Sequence, residues 1–312
     1  MTDTSLAFAK INISLDIVSK MADGYHNLKM VMQTVGLSDE ITIECADPSG
    51  EKKHSCAKDP SDAKSLARTL REMISIDAGA PYLPGDERNL AAKAAFAFFM
   101  HTGITDRRTK IKIKKRIPVS AGLGGGSTDA ACVLRMLNKM LKTGLNRRAL
   151  EKLGGTVGSD VPFCIAGGTR LAEGRGDILT DLPAIPKSHI VICKPPFACS
   201  TPELFKCVKC DMIRARPDTD GLIKALHDCD IGGVARRMYN VFEDIMPRGK
   251  LEIDEIKSAL LDNGALGAVM TGSGPAVFGL FDSAGSAKSA YEQLIVDYKD
   301  CFITETVERI HP

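Results

Sequence analysis

Four glycines in five positions, Gly122-Leu123-Gly124-Gly125-Gly126, stand between an alternating strand pattern at Thr109 to Arg116 and a helical pattern from Ser127 to about Lys142. No other stretch constrains the chain as tightly. Glycine reaches positive φ and lets the backbone approach a ligand with no Cβ in the way. The loop runs from Pro118 to Gly126, and Ser127 is suited to N-cap the helix. The free N–H groups of a first helical turn, with the positive end of the helix dipole behind them, make a cradle for polyphosphate. A bare strand-to-helix turn rarely needs so many glycines. Two commoner cradles are excluded. A P-loop requires Lys directly after its last glycine, and here Ser127 follows Gly126. A dinucleotide fingerprint requires its third glycine where Ser127 stands. It also requires an acidic residue about twenty positions on, where the chain reads Met140-Leu141-Lys142-Thr143-Gly144.

Phosphate binding has to come from such local geometry. The 312 residues carry 41 Lys+Arg against 39 Asp+Glu, and a net charge of +2 exerts no general pull on nucleic acid or anionic lipid. With 44% hydrophobic and 26% charged residues the chain reads as globular, long enough for one large domain or two ordinary ones. The N-terminus lacks the basic start and apolar stretch of a signal peptide. The most apolar run, Leu90 to Met100, is short and interrupted by Lys93. Ten cysteines are scattered through the chain, and the expectation is a cytoplasmic protein with reduced thiols and no membrane partner. Cys207-x-x-Cys210 with His227 and Cys229 could supply four zinc ligands. The segment from Pro202 to Ile213 reads equally well as a helix, and the second pair lacks the usual spacing.

The first segment alternates Ala9, Ile11, Ile13, Leu15 and Ile17 with Phe8, Lys10, Asn12, Ser14 and Asp16, a strand with one apolar and one mostly polar face. Asp23 to His26 reads as a turn, and Met30 to Val35 and Glu40 to Cys45 as two further strands. Asp47 to Asp86 is polar, with a helix expected at Asp62 to Ile76. Helices are expected at Asn89 to Thr102 and Asn146 to Leu153, strands at Thr169 to Glu173 and Ser188 to Lys194, and a mostly helical region from Pro202 to Asn263. Strands Ala265 to Met270 and Ala276 to Phe281 flank Thr271-Gly272-Ser273-Gly274; a helix at Ala284 to Tyr298 and a strand at Phe302 to Glu308 follow. Gly and Pro around Gly167 mark a boundary between residues 1–167 and 168–312. The basic strand Thr109 to Arg116 reads as a solvated face; a nucleic-acid patch would call for interleaved aromatics.

Pro118-x-x-x-Gly122-Leu123-Gly124-Gly125-Gly126-Ser127-Thr128 resembles the phosphate-binding motif of the GHMP kinases, small-molecule kinases of galactose, homoserine, mevalonate and related alcohols. Ala9-Lys10-Ile11-Asn12-Ile13-Ser14-Leu15 is similar to their first motif, and Thr271-Gly272-Ser273-Gly274-Pro275-Ala276-Val277-Phe278 to their third. Three further elements are Asp23-Gly24-Tyr25-His26, Gly158-Ser159-Asp160-Val161-Pro162-Phe163, and Ala172-Glu173-Gly174-x-Gly176. They resemble the members that use ATP to phosphorylate the 2-hydroxyl of cytidine diphosphate-linked methylerythritol in non-mevalonate isoprenoid-precursor synthesis. The resemblance implies a two-domain α/β (α+β) fold with the active site in the interdomain cleft, and ATP with Mg2+ as cofactors.

The resemblance also implies residue roles. Asp160 matches the base that takes the hydroxyl proton. On its own the residue could equally cap a helix that Pro162 helps to start. Lys10 belongs beside Asp160 and the reacting hydroxyl, where an ammonium would keep the carboxylate ionised. Asn12 is its neighbour on the same strand face. Pro118, Gly122, Leu123, Gly124, Gly125, Gly126, Ser127 and Thr128 would hold the nucleotide phosphates, with a hydroxyl available to phosphate or magnesium and Asp129 a partner through water. Tyr25 and His26 match residues that hold the cytosine, with Phe205 as the opposing ring. Gly272, Ser273 and Gly274 would lie beside the acceptor's diphosphate, and Glu173 reads as structural. Two departures stand out: Asp47 to Asp86 is longer than the family pattern, which suggests a surface insertion, and Thr128 stands where Ser is common. The rival readings are a homoserine- or mevalonate-type kinase, which has no use for a base-stacking pair, and a non-catalytic nucleotide- or nucleic-acid-binding protein.

Overall fold

The computed structural model describes residues 1–46, 63–246 and 248–310. The opening alternation becomes β1 (Thr2–Lys20), paired antiparallel with β2 (His26–Ala46) along almost its whole length. Met30 to Val35 and Glu40 to Cys45, expected as two strands, are one. The partner strand absorbs the offset: β1 shifts register between Phe8 and Lys10 and again between Asn12 and Ser14. Such a slip moves side chains to the opposite face. Accordingly Ala9, Ile11 and Ile13 join one core, while Ala7, Leu15 and Ile17 join the other. Gly36 serves close approach, since a Cβ there would lie 2.9 Å from Thr304 Oγ1. The polar face of β1 is not solvated: Lys10, Asn12, Ser14 and Asp16 are all buried.

The helix expected at Asp62 to Ile76 is α1 (Ala63–Met73), followed by β3 (Ile74–Asp77), which runs parallel to β4 (Arg108–Lys114). Alternating Ile74-Ser75-Ile76 beside the open edge of β4 favours a strand there. The expected insertion falls partly outside the described residues, at 47–62. On β4, Thr109, Ile111 and Ile113 are buried and the lysines exposed, with Lys110 opposite Glu44 and Lys114 opposite Glu40 of β2. Two of the four exposed cations thus stand opposite a carboxylate across the ladder, which reduces the positive charge of that face.

Helix α2 (Leu90–Thr102) is N-capped by Asn89, and α3 (Gly125–Met140) packs against α2 and β1. Ala130, Ala131, Val133, Leu134 and Leu137 of α3 are fully buried. Next come α4 (Arg147–Gly155), α5 (Val161–Ala166), β5 (Thr169–Gly174), β6 (Ile178–Asp181) and β7 (His189–Lys194). Arg135 of α3 is buried, and its Nη1 donates to the Cys164 carbonyl at 2.7 Å. A cation at the carbonyl end of α5 suits the helix dipole and ties down the helix whose other end carries Asp160.

The later region holds α6 (Thr201–Cys207), α7 (Thr219–His227), α8 (Ile231–Ala235), β8 (Tyr239–Asn240), α9 (Phe242–Ile245) and α10 (Lys250–Asp262), with a 3-10 turn at Cys210–Met212. The chain closes with β9 (Gly267–Met270), β10 (Val277–Phe281), α11 (Ala284–Asp297) and β11 (Asp300–Val307). The strand order is β3-β4-β2-β11-β7-β10-β9; β1 lies beside β2 and β8, and β5 beside β2 and β6. β11 pairs with both β2 and β7, joining the sheet of the first half to that of the second. No helix among the described residues is long and apolar enough to cross a membrane.

Candidate active site

A cleft of about 700 Å³ opens where β1, the glycine loop, the start of α5 and the loop after β9 meet. The loop residues from Pro118 to Ser127 line it. The helix begins two residues earlier than expected. Gly124, at φ 70°, holds the N-cap position without a side-chain cap, and Ser127 is the third residue of α3. The first helical hydrogen bond is Thr128 N–H to the Gly124 carbonyl, at 2.9 Å. The N–H groups of Gly125, Gly126 and Ser127 therefore precede the ladder and are open to a ligand. A capping side chain at position 124 would have consumed one of them.

Thr128 does not share that position. Its side chain is fully buried, its hydroxyl donates to the Phe8 carbonyl, and it does not line the cleft. With its proton given to Phe8 and its side chain outside the cleft, the Thr128 hydroxyl is not placed to donate to a phosphate there. That bond instead pins α3 to β1.

Lys10 is 4% exposed. Its Nζ donates to Asn12 Oδ1 at 2.6 Å and lies 3.6 Å from Asp160 Oδ2. A buried ammonium with one carboxylate partner is not a solvated strand lysine. Gly124 and Gly272 make room for it: a Cβ on Gly124 would lie 3.0 Å from Lys10 Cγ, and one on Gly272 3.1 Å from Lys10 Nζ. Asp160 occupies the N-cap position of α5 yet makes no side-chain capping bond. Its carboxylate, about one-third exposed, faces Lys10 and the cleft instead.

The second glycine loop packs directly on the first. A Cβ on Gly122 (φ 77°) would lie 2.1 Å from the Thr271 carbonyl oxygen. Thr271 Oγ1 accepts from Asn12 N–H at 3.0 Å. Gly272 and Ser273 line the cleft, whereas Gly274 turns toward the Met270 side chain. Two residues missed in the sequence hold this loop. Asn240 Nδ2 donates to the carbonyls of Met270 (2.7 Å) and Gly272 (2.8 Å), and Glu243 Oε1 accepts from Met270 N–H at 2.8 Å. The signal was available as Asn240 and Glu243 within the apolar run Met238-Tyr-Asn-Val-Phe-Glu, since buried polar groups need partners.

At the far end Phe205 lines the cleft, and His26 stacks on it with centroids 5.1 Å apart. Phe242, also missed, meets Phe205 edge-on at 5.0 Å. Burial, and then Lys20, hold the His26 imidazole below its ordinary pKa, favouring the neutral ring. Tyr25 stands apart at the rim, 56% exposed and outside the lining.

Behind the glycine loop lies a buried ionic triad. Lys115 Nζ donates to Asp39 and, at 2.8 Å, to Asp129 Oδ2, while Asp39 Oδ1 accepts the N–H groups of Arg116 (2.6 Å) and Ile117 (2.9 Å). Asp39 thereby fixes the strand exit that feeds the loop. Asp129 Oδ1 is buried with no hydrogen-bond partner among the described residues. Burial pushes the Asp129 carboxyl from the ordinary 3.8 up to about 7, against the pull of Lys115. A carboxyl with a raised native pKa holds its proton more tightly when folded, so stability falls as pH rises through this window. Asp129→Asn removes that cost. The melting temperature of the variant minus that of wild type is expected to grow from about pH 4 to about pH 7 and to level off above; a constant difference across that window would contradict this account.

Among the described residues no three His, Cys, Asp or Glu side chains converge to hold a metal ion. The two carboxylates of the cleft, Asp129 and Asp160, each face a lysine. A magnesium site built by the protein alone does not fit this arrangement, and Ser127 is the one hydroxyl of the Ser127-Thr128 pair that reaches the cleft. The residues considered for zinc, Cys207, Cys210, His227 and Cys229, form no such cluster.

Residues 89–168 match the family model of the GHMP kinases N terminal domain, and residues 222–299 that of the GHMP kinases C terminal. A 4-diphosphocytidyl-2-C-methyl-D-erythritol kinase of Clostridium beijerinckii is 42% identical over 301 residues, 96% of this chain and 99% of that one. One from Clostridium botulinum is 39% identical over 303 residues, 97% of this chain and 99% of that one. A crystal structure of 4-(cytidine 5'-diphospho)-2C-methyl-D-erythritol kinase superposes with a TM-score of 0.77 at 28% identity, covering 97% and 99% of the two chains. Homoserine kinase from Cytophaga hutchinsonii shares the fold, with a TM-score of 0.69 at 19% identity over 99% of this chain and 95% of that one.

Proposed function

Because the chain belongs to the 4-diphosphocytidyl-2-C-methyl-D-erythritol kinases of the GHMP kinase family, we propose a residue-level account of its reaction. The reaction is ATP-dependent phosphorylation of the 2-hydroxyl of 4-diphosphocytidyl-2-C-methyl-D-erythritol, a step of non-mevalonate isoprenoid-precursor synthesis. The observation that carries the account is the Lys10–Asp160 pair, 3.6 Å apart, at the foot of an open glycine cradle.

The triphosphate of ATP lies on the N–H groups of Gly125, Gly126 and Ser127, with the dipole of α3 behind them. Apolar lining at Leu90, Ile117 and Val119 accepts the nucleoside end. As the acceptor oxygen bonds to the γ-phosphorus, the bond from that phosphorus to the β-phosphate bridging oxygen breaks and ADP leaves. The hydroxyl proton passes to Asp160. Lys10, held by Asn12, stands beside Asp160 and offsets negative charge on the reacting oxygens. Magnesium, if it accompanies ATP as is typical of the family, would offset phosphate charge, and the roles of these residues do not run through a protein-built metal site.

Gly272 and Ser273 lie beside the acceptor's diphosphate. The base stacks at the aromatic end formed by Phe205, Phe242 and His26, with Tyr25 closing from the rim. The neutral His26 ring has both a donor and an acceptor to offer a base edge. Tyr25→Ala is expected to raise KM for the cytidylyl acceptor by about tenfold, the loss of one stacking contact, with KM for ATP unchanged. An unchanged acceptor KM would remove Tyr25 from the site. We place the boundary between the two domains at Gly167 and the enzyme in the cytoplasm, where ATP is supplied.

A further inference from the structure

We propose that Arg175 is a specificity-determining residue for the base end of the acceptor, acting by fixing the rim ring of Tyr25; this rests on the reading of Tyr25 as a stacking partner. Antiparallel pairing of β2 with β5 sets Leu28 opposite Gly174, so the residues preceding Leu28 face those following Gly174. Arg175 sits there between two glycines of positive φ, Gly174 at 68° and Gly176 at 94°. Only glycine takes such angles without strain, and together they aim the arginine at Tyr25. Its guanidinium carbon stands 4.0 Å from the centroid of the Tyr25 ring.

The contact belongs to a closed cycle. Arg175 ion-pairs with Asp23, Asp23 Oδ1 accepts the Tyr25 N–H at 3.0 Å, and the Tyr25 ring lies under the arginine. Arg175 N–H is itself held by Asp177 Oδ1 at 3.0 Å. One cation therefore anchors both the backbone and the ring of a tyrosine that is otherwise 56% exposed. The guanidinium covers one ring face and leaves the other for a base. The same turn reaches the reacting end: a Cβ on Gly176 would lie 4.0 Å from Asp160 Oδ1. Seating the base under Tyr25 and placing the acceptor at Asp160 thus use one rigid turn.

An exposed cation–π contact changes an equilibrium by about two- to fivefold. Arg175→Ala is expected to raise KM for 4-diphosphocytidyl-2-C-methyl-D-erythritol by about that factor, with kcat and KM for ATP unchanged, and Arg175→Lys to recover part of the loss. In a Tyr25→Ala background Arg175→Ala should have no further effect, because the arginine acts through the ring. A full additional rise in that background, or an unchanged acceptor KM in Arg175→Ala beside a raised one in Tyr25→Ala, would overturn the role of Arg175 while leaving that of Tyr25 intact. An unchanged acceptor KM in Tyr25→Ala would overturn both.

Discussion

Asp160→Asn is expected to lower kcat by about 10²-fold or more while KM for both substrates stays near that of the wild type. The amide keeps the shape of the side chain but cannot take up the acceptor's proton. Because Asp160 is partly exposed and makes no capping bond to α5, the substitution should leave folding intact. Lys10 keeps Asn12 as a hydrogen-bond partner at 2.6 Å. Steady-state kinetics with melting temperature as a folding control checks this. A kcat within a few fold of wild type would exclude Asp160 as the base and leave transfer to positioning alone.

Gly122→Ala should be the most damaging single methyl in the cleft. Its φ is 77°, and the added Cβ would lie 2.1 Å from the Thr271 oxygen and 3.0 Å from the Gly274 nitrogen, both backbone. The left-handed conformation costs an alanine about 1–2 kcal/mol, and forced overpacking about 1–3 kcal/mol more. The two glycine loops must part, which separates the phosphate cradle from the Gly272-Ser273 segment. Both stability and kcat/KM are expected to fall, the latter by about 10²-fold or more. Gly126→Ala is the contrast: its Cβ would meet only the Leu90 side chain, 3.4 Å from Cδ1, so folding should change little. Equal melting temperatures for the two variants would contradict the packing of one loop on the other.

The residues that were legible in the sequence are those whose chemistry is local. Alternation marked β1, the glycine run marked a phosphate loop, and Lys10 and Asp160 stood in short motifs that the fold brings together. What was not legible depends on tertiary register. The polar side of β1 was legible as a face, but the alternation could not show that Lys10 and Asn12 are buried beneath the two glycine loops and α5. Asn240 and Glu243 matter only because the loop after β9 passes within hydrogen-bond reach. The Asp39–Lys115–Asp129 triad ties the two sides of the glycine loop to a residue of β2 distant in the chain. The start of α3 was misplaced for a local reason: glycine permits helix and turn alike, so the propensity of Ser127 to cap could not show that Gly124 already held the cap position. Thr128 was read as a ligand by its motif, while the structure buries its hydroxyl against the Phe8 carbonyl, outside the cleft lining.

The central claim is that the cleft phosphorylates an alcohol carried on a cytidine diphosphate. ADP release measured in parallel with 4-diphosphocytidyl-2-C-methyl-D-erythritol, homoserine and mevalonate tests it most directly. Turnover with the first and none above background with the other two is the predicted result. No turnover with the cytidylyl alcohol, or faster turnover with either small alcohol, would contradict it.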